Sequence, residues 1–214
     1  MISHSKNFIF IHIPKTGGTS VEHMLRNYGI MLQGNGNFDS LYYKHATALS
    51  IKQMMGAEYD KYFKFTIVRN PWDWVLSNYA FNRGLTRPWI IDTEYSLSGK
   101  VPDWAKDISF LDWLVWWIDT FKPSQSVMFT GSDGKSLVDV IFKFESLIND
   151  FNKLKTRLQL RLWRSRLPHL KRSKRRSDYK SYYDEDSIKL VREHFALDIE
   201  YWSLGKSDKA NIPF

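Results

Sequence analysis

The sequence predicts an α/β fold with a central, mostly parallel sheet flanked by helices. Two observations lead there. Unbroken apolar runs rich in β-branched and aromatic residues, FIFIHI at 8–13 and FKFTIV at 63–68, read as strands buried on both faces. Each leads through a proline into a stretch whose pattern reads as a helix, and strands that alternate with helices imply parallel pairing. A chain of 214 residues is long enough to bury a substantial core, and without a repeat or composition break it predicts one domain over 1–214.

The first strand is expected over 7–13. After a glycine loop, Val21, Met24, Leu25 and Tyr28 recur at i, i+3, i+4 and i+7, one face of a helix ending near Gly29. QGNGNFDS at 33–40 is a turn-rich loop, and a short helix is expected over 47–56. The second strand, 63–68, ends in Arg69-Asn70-Pro71, and a helix runs from about Pro71 to Phe81. Residues 82–108, with Gly84, Pro88, Gly99 and Pro102, read as a long irregular excursion, a feature that compact domains keep for function or motion. FLDWLVWWI at 110–118 is a buried helix with Ser109 as N-cap and Asp112 in its first turn. SVMFTG at 126–131 and VDVIFKFE at 138–145 are two further strand-like runs, and Ile188, Val191 and Phe195 mark a C-terminal helix.

Composition narrows the function classes. There is no cysteine, which excludes disulfides and thiolate chemistry. No apolar run approaches the roughly 20 residues of a membrane helix, and no targeting segment is evident, so the expected compartment is the cytoplasm. An aromatic content of 16%, with nine tryptophans, implies a bulky core or a ring-lined groove. The net charge of +8 sits in one place: residues 151–177 hold eleven Lys or Arg and no acid, while the rest has 20 basic against 23 acidic residues. Such a segment can be a solvated helix face, a nucleic-acid patch, or one wall of a polyanion site.

Two strand ends carry anion-binding chemistry, and ligands of such sheets bind beyond the strands' carboxyl ends. The first leads into PKTGGTS, small residues opening a helix beside Lys15. The second leads into RNPWDWVLSNY, where Arg69 offers a fork of donors and Ser77, two turns into the helix, a hydroxyl. An ATP-binding Walker loop has its lysine after the glycines, whereas Lys15 precedes Gly17 and Gly18. Neither strand ends in the aspartate that would organise magnesium. The pattern suits a doubly anionic nucleotide with no evident metal.

At these residues the chain resembles the sulfotransferases that use 3′-phosphoadenosine 5′-phosphosulfate (PAPS), and is most similar to sulfotransferase family 2, the carbohydrate-sulfotransferase branch in its short bacterial-type form. The resemblance runs through IHIPKTGGTS, KHATA at 44–48, FTIVRNPWDW at 65–74, VDVIFKFESL at 138–147, LPHLKRS at 167–173 and YKSYYDEDS into DIEYW at 198–202. It departs at Trp74, where the family usually has an arginine. The resemblance implies a P-loop-like three-layer fold and transfer of a sulfuryl group from PAPS to a hydroxyl or amine, with a carbohydrate acceptor expected. It implies Lys15 at the oxygen bridging sulfur and phosphorus. The 5′-phosphate would lie on Thr16, Gly17, Gly18, Thr19 and Ser20, and the 3′-phosphate on Arg69 and Ser77. One or two of Arg172, Ser173, Lys174 and Arg175 would touch the 3′-phosphate or the adenine.

An acceptor hydroxyl also needs a base, and histidine is the side chain poised near neutral pH. Of six histidines, His12, His23 and His194 fall in predicted elements and read as structural. His45 matches the family's catalytic position, with His169 in reserve. Trp89, Tyr95 and Trp104 in the excursion are either an acceptor wall or core. Two rival functions stay open on the residues alone. One is a nucleic-acid-binding module using 151–177, which leaves both loops unexplained; the other is a P-loop-type nucleotide kinase, which the position of Lys15 disfavours.

Overall fold

The computed structural model describes residues 1–30, 44–82, 108–161, 167–168 and 178–204. Four strands form one sheet in the order β1 (Ile2–Ser3), β2 (Phe8–Ile11), β3 (Phe63–Val68), β4 (Val140–Lys143). The pair β1–β2 is antiparallel, and β2–β3 and β3–β4 are parallel, with Phe10 opposite Phe65 and Phe65 opposite Val140. Seven helices are described: α1 (Gly18–Leu25), α2 (Ala48–Met55), α3 (Pro71–Asn82), α4 (Phe110–Phe121), α5 (Leu147–Arg157), α6 (Glu185–His194) and α7 (Ala196–Leu204). This is the α/β architecture with a mostly parallel sheet that the alternation of runs predicts.

Every residue of β2 is buried, because both faces of the sheet are covered. Successive side chains point to opposite faces. Phe8 and Phe10 therefore meet Phe65, Met24 and Leu25 of α1, and Phe151 and Leu154 of α5. Ile9 and Ile11 meet Ile51 of α2, Tyr59 and Phe129 on the other face. A third cluster joins Trp74 of α3 to Trp113 and Trp117 of α4 and to Val191 and Phe195 at the end of α6. Trp113 is fully buried, its ring stacked 5.0 Å from that of Trp117. For these three tryptophans the core reading holds, and each such side chain contributes on the order of 1.5–3 kcal/mol by leaving water.

Helix α4 starts where the sequence places it: Ser109 accepts from the amide of Asp112. Two expectations fail locally. Helix α1 ends at Leu25 instead of near Gly29, because Ile30 exchanges backbone hydrogen bonds with Ile2 at the sheet edge (3.3 and 2.8 Å), which pulls the chain out of helical geometry. The run SVMFTG is not a strand. Ser126–Met128 is a 3₁₀ turn, since the buried Asp198 carboxylate accepts the amides of Gln125 and Ser126, both at 2.8 Å, and winds the backbone there. Several sequence readings lie outside the described residues: the loop 33–40, residues 83–107 of the excursion with Trp89, Tyr95 and Trp104, and His169, Arg172, Ser173, Lys174 and Arg175. At the start of the basic segment, Lys153 and Arg157 are exposed on α5, the solvated helix face among the three readings.

Candidate active site

The parallel register of β2 and β3 brings the two stretches read as anion loops to the same end of the sheet. After β2 the chain turns through Lys15, which has φ +66°, and Gly17, which has φ +85° and forms the N-cap of α1. A left-handed lysine is strained by about 1–2 kcal/mol, and such strain concentrates at functional positions. Three successive carbonyls of the turn are each held by a side-chain donor. Thr16 Oγ1 donates to Ile13 O (2.8 Å), Trp74 Nε1 to Pro14 O (2.8 Å) and Arg69 Nη1 to Lys15 O (3.0 Å). With those oxygens engaged inward and no side chain capping α1, the helix N-terminus presents amide dipoles that suit an anion.

Gly18 is required by a close approach. A Cβ there would lie 2.2 Å from Cδ2 of the buried His12 ring. Ser20 is buried in the first turn, its amide donating to Gly17 O at 3.0 Å, and Thr19 is partly buried. Lys15 Nζ lies over the Phe81 ring, 4.4 Å from its centre, at the far end of α3.

The second stretch is built differently. Asn70 caps α3, its Oδ1 accepting the amides of Trp72 (3.1 Å) and Asp73 (3.4 Å), with Pro71 at the first helical position. Arg69 is 8% exposed. Its Nε donates to Asp73 Oδ2 at 2.7 Å, its Nη2 lies 2.6 Å from the same oxygen, and its guanidinium stacks 4.2 Å above Phe144. The backbone of Arg69 is clasped on both sides by Gln125, which accepts from its amide (2.8 Å) and donates to its carbonyl (2.9 Å). Gln125 in turn is fixed by Asp198 of α7. Ser77 is buried two turns along α3.

His45 donates from Nδ1 to the carbonyl of His12 at 2.8 Å, and their rings meet edge-on at 4.6 Å. An acceptor-only partner fixes the tautomer, so Nε2 is the basic nitrogen. Burial holds His45 far below the ordinary imidazole range, at about 3, with His12 and Lys44 acting in the same direction. The sequence places this residue near neutral pH; in the fold it is a neutral imidazole throughout the physiological range. Below it, Glu22 of α1 is 1% exposed, with Oε1 2.8 Å from His12 Nδ1 and Oε2 3.2 Å from Lys44 Nζ. Burial alone would raise the Glu22 carboxyl, but the contacts to His12 and Lys44 outweigh it and hold it down at about 2. His12, fully enclosed, is pushed below the ordinary range by burial. A neutral His12 thus faces an ionised Glu22, whose charge Lys44 balances.

Of the residues singled out from sequence, Lys15, Thr16 and Arg69 are joined directly, while Gly17, Gly18, Thr19 and Ser20 form the turn and start of α1. The Thr16 hydroxyl is spent inside the turn, which leaves only its backbone for a ligand. His12, read as structural, is the contact of both Gly18 and His45. Glu22 and Gln125 carry no motif signal, Phe144 and Asp198 lie in resembling stretches that give them no role, and only the fold brings the four here. Trp74 stands where the resemblance expects an arginine, and its indole bonds the loop. Among the described residues no group of three His, Asp or Glu could hold a metal ion, and no helix is long and apolar enough to cross a membrane.

Comparison with known proteins agrees with the resemblance. Residues 1–204 match the model of a sulfotransferase family. Searches of curated proteins and of solved structures found no match. A family match over 204 of 214 residues decides the class: the chain belongs to the sulfotransferase family and is a sulfotransferase enzyme.

Proposed function

We propose that this sulfotransferase, acting as one domain over 1–214, takes its sulfuryl group from PAPS and delivers it, in line and without a metal, to a carbohydrate hydroxyl. The observation that carries the reading is the direct tie between the two anion-suited stretches, Arg69 Nη1 to Lys15 O, at adjacent parallel strand ends. Such a pair suits a nucleotide with phosphates at two separate positions. In this reading the 5′-phosphate lies on the amides of Thr16, Gly17, Gly18 and Thr19, helped by the hydroxyls of Thr19 and Ser20. The 3′-phosphate lies on Arg69 and Ser77, and one or two of Arg172, Ser173, Lys174 and Arg175 touch it or the adenine.

Transfer breaks the bond between sulfur and the bridging oxygen and forms one between sulfur and the acceptor oxygen. Nε2 of His45 takes the acceptor's proton, and 3′-phosphoadenosine 5′-phosphate leaves. Lys15 opposes the charge that grows on the bridging oxygen, which places its effect in the transition state. A base that stays neutral well below pH 7 keeps its lone pair available; the cost is weak basicity, so the proton moves late, as the new oxygen–sulfur bond forms.

Thermal denaturation with added nucleotides tests the donor. 3′-Phosphoadenosine 5′-phosphate without magnesium is expected to raise Tm, by the equivalent of about 2.7 kcal/mol at a hundred times its Kd. Stabilisation by ATP with magnesium and none by 3′-phosphoadenosine 5′-phosphate would overturn the donor assignment. A screen of saccharides with sulfur-labelled PAPS tests the acceptor; transfer only to amines or proteins would overturn the carbohydrate.

A further inference from the structure

We propose that Glu22 is a positioning residue for His45, setting the orientation of its imidazole through two routes that meet on one buried carboxylate. The proposal rests on the reading of His45 as the base. The first route is His12. Glu22 Oε1 lies 2.8 Å from His12 Nδ1, and the carbonyl of His12 accepts the His45 Nδ1 proton at 2.8 Å. The His12 ring is also wedged between Gly18 and the edge of the His45 ring, so holding it upright braces both. The second route is Lys44, the chain neighbour of His45, whose Nζ lies 3.2 Å from Glu22 Oε2.

The buried α-amino group of Met1 favours the charge on Glu22 but does not require a carboxylate there. A carboxylate that is 1% exposed costs several kcal/mol to desolvate, and apolar side chains of equal volume would serve stability as well or better. Its charge also stands one turn into α1, behind the helix end that is to hold an anion, where a negative charge opposes donor binding. It therefore serves something other than donor affinity. The group it acts on from both sides is His45. By locking Nδ1–H toward His12 O, it keeps the basic nitrogen on the side that must meet the acceptor's proton.

Glu22→Gln tests this, because it removes the charge and keeps the shape. Imidazole nitrogen-15 spectra of the full chain read the tautomer without any assay. Wild type is expected to show His45 with the proton on Nδ1, and Glu22→Gln a mixture with a measurable Nε2–H population. Turnover is expected to fall about 10–100-fold, the usual worth of an outer contact that orients a functional group. The affinity for 3′-phosphoadenosine 5′-phosphate should stay within about threefold. The double variant Glu22→Gln/His45→Ala should be no slower than His45→Ala alone, because two residues acting as a unit do not add. Lys44→Met cuts the second route from a part-exposed position, tests the same tautomer should Glu22→Gln not fold, and should give a smaller loss, likewise absent in the His45→Ala background. An unchanged tautomer in both variants, or full additivity with His45→Ala, would overturn the proposal. If His45→Ala instead keeps wild-type turnover, the base assignment fails, and the tautomer measurement still decides whether Glu22 orients this ring.

Discussion

At the carboxyl end of β2 the chain offers its backbone, and one strand over, at the end of β3, it offers a side chain. The two helices that follow show the difference. Asn70 caps α3 and so occupies the amides that helix would otherwise present, which leaves Arg69 as the group we propose for the anion. Helix α1 has a glycine at the N-cap and no side-chain cap, and its neighbours Thr16, Trp74 and Arg69 bond the carbonyls of the turn. A backbone site is thus only as good as the contacts that hold it, and damage to it should affect every anionic ligand. A side-chain site stands on a few named side chains, and the loss of one should be felt only by the ligand group it touches. Arg69 belongs to both, because its fork holds the first loop while Asp73 holds the fork.

The largest effect is expected from the backbone side. Gly18→Ala puts a Cβ 2.2 Å from His12 Cδ2 and 2.4 Å from Nε2, and that ring is enclosed between Glu22 and His45 with no room to retreat. Overpacking of this kind costs about 1–3 kcal/mol of stability, readable as a lowered denaturation midpoint. Isothermal titration should show 3′-phosphoadenosine 5′-phosphate and adenosine 5′-phosphosulfate losing affinity together. Unchanged binding of both would mean that the α1 terminus does not hold the 5′-phosphate.

Arg69→Ala separates the two sites. Losing a charged hydrogen-bond donor costs about 1.5–3 kcal/mol, so affinity for 3′-phosphoadenosine 5′-phosphate should fall on the order of tenfold to a hundredfold. Adenosine 5′-phosphosulfate has no 3′-phosphate and should lose much less, only what the bond to Lys15 O contributes. Equal losses for the two ligands would break the distinction between a backbone site and a side-chain site.

Titration gives the next effect. Folding depresses the pKa of His45 from 6.5 to about 3, so the unfolded chain binds a proton that the native state refuses. Stability from this group is therefore intact above about pH 6.5 and falls as the pH drops from there toward 3, by about 1.4 kcal/mol per pH unit at most. Denaturant midpoints measured between pH 7 and pH 4 should decline, and His45→Ala should flatten the decline. The acid limb of activity should likewise lie below pH 5. A limb near pH 6.5 would mean that His45 is solvated in the working enzyme.

Much of this framework was legible in the residues. FIFIHI and FKFTIV read as strands because both faces of the sheet are buried, so hydrophobicity has no alternation to lose, and the cap Ser109 sits directly before its helix. The two loops we propose for the anions stood out because glycine, proline and arginine at strand ends are local signals. What was not legible is what holds them. Glu22 meets His12 ten residues back and Lys44 twenty-two residues on, and Asp198 reaches Gln125 across 73 residues. None of these pairs has a spacing that a helix or strand would impose. The same Asp198 explains why SVMFTG misleads: its composition favours a strand, but a buried carboxylate collecting two successive amides wins locally.

The smallest effect concerns Trp74, the departure from the family pattern. Its indole gives the first loop one hydrogen bond, to Pro14 O at 2.8 Å, and its rings pack against Trp117 and Phe195. Trp74→Phe keeps most of the ring and removes the donor. A single neutral hydrogen bond contributes about 0.5–1.5 kcal/mol, and Thr16 and Arg69 still hold the flanking carbonyls. Both nucleotides should therefore weaken by only about twofold to tenfold, and equally, because the loss falls on the backbone site. Isothermal titration of the pair decides it: a loss confined to 3′-phosphoadenosine 5′-phosphate would place Trp74 with Arg69 on the side-chain site instead. Trp74→Arg sharpens the result. An arginine at this position could bond the same carbonyl, but it would bring a charge into a position that is 4% exposed among aromatic rings. Stability should fall while donor affinity survives, which would show that the indole answers to the aromatic cluster on one side and to the loop on the other.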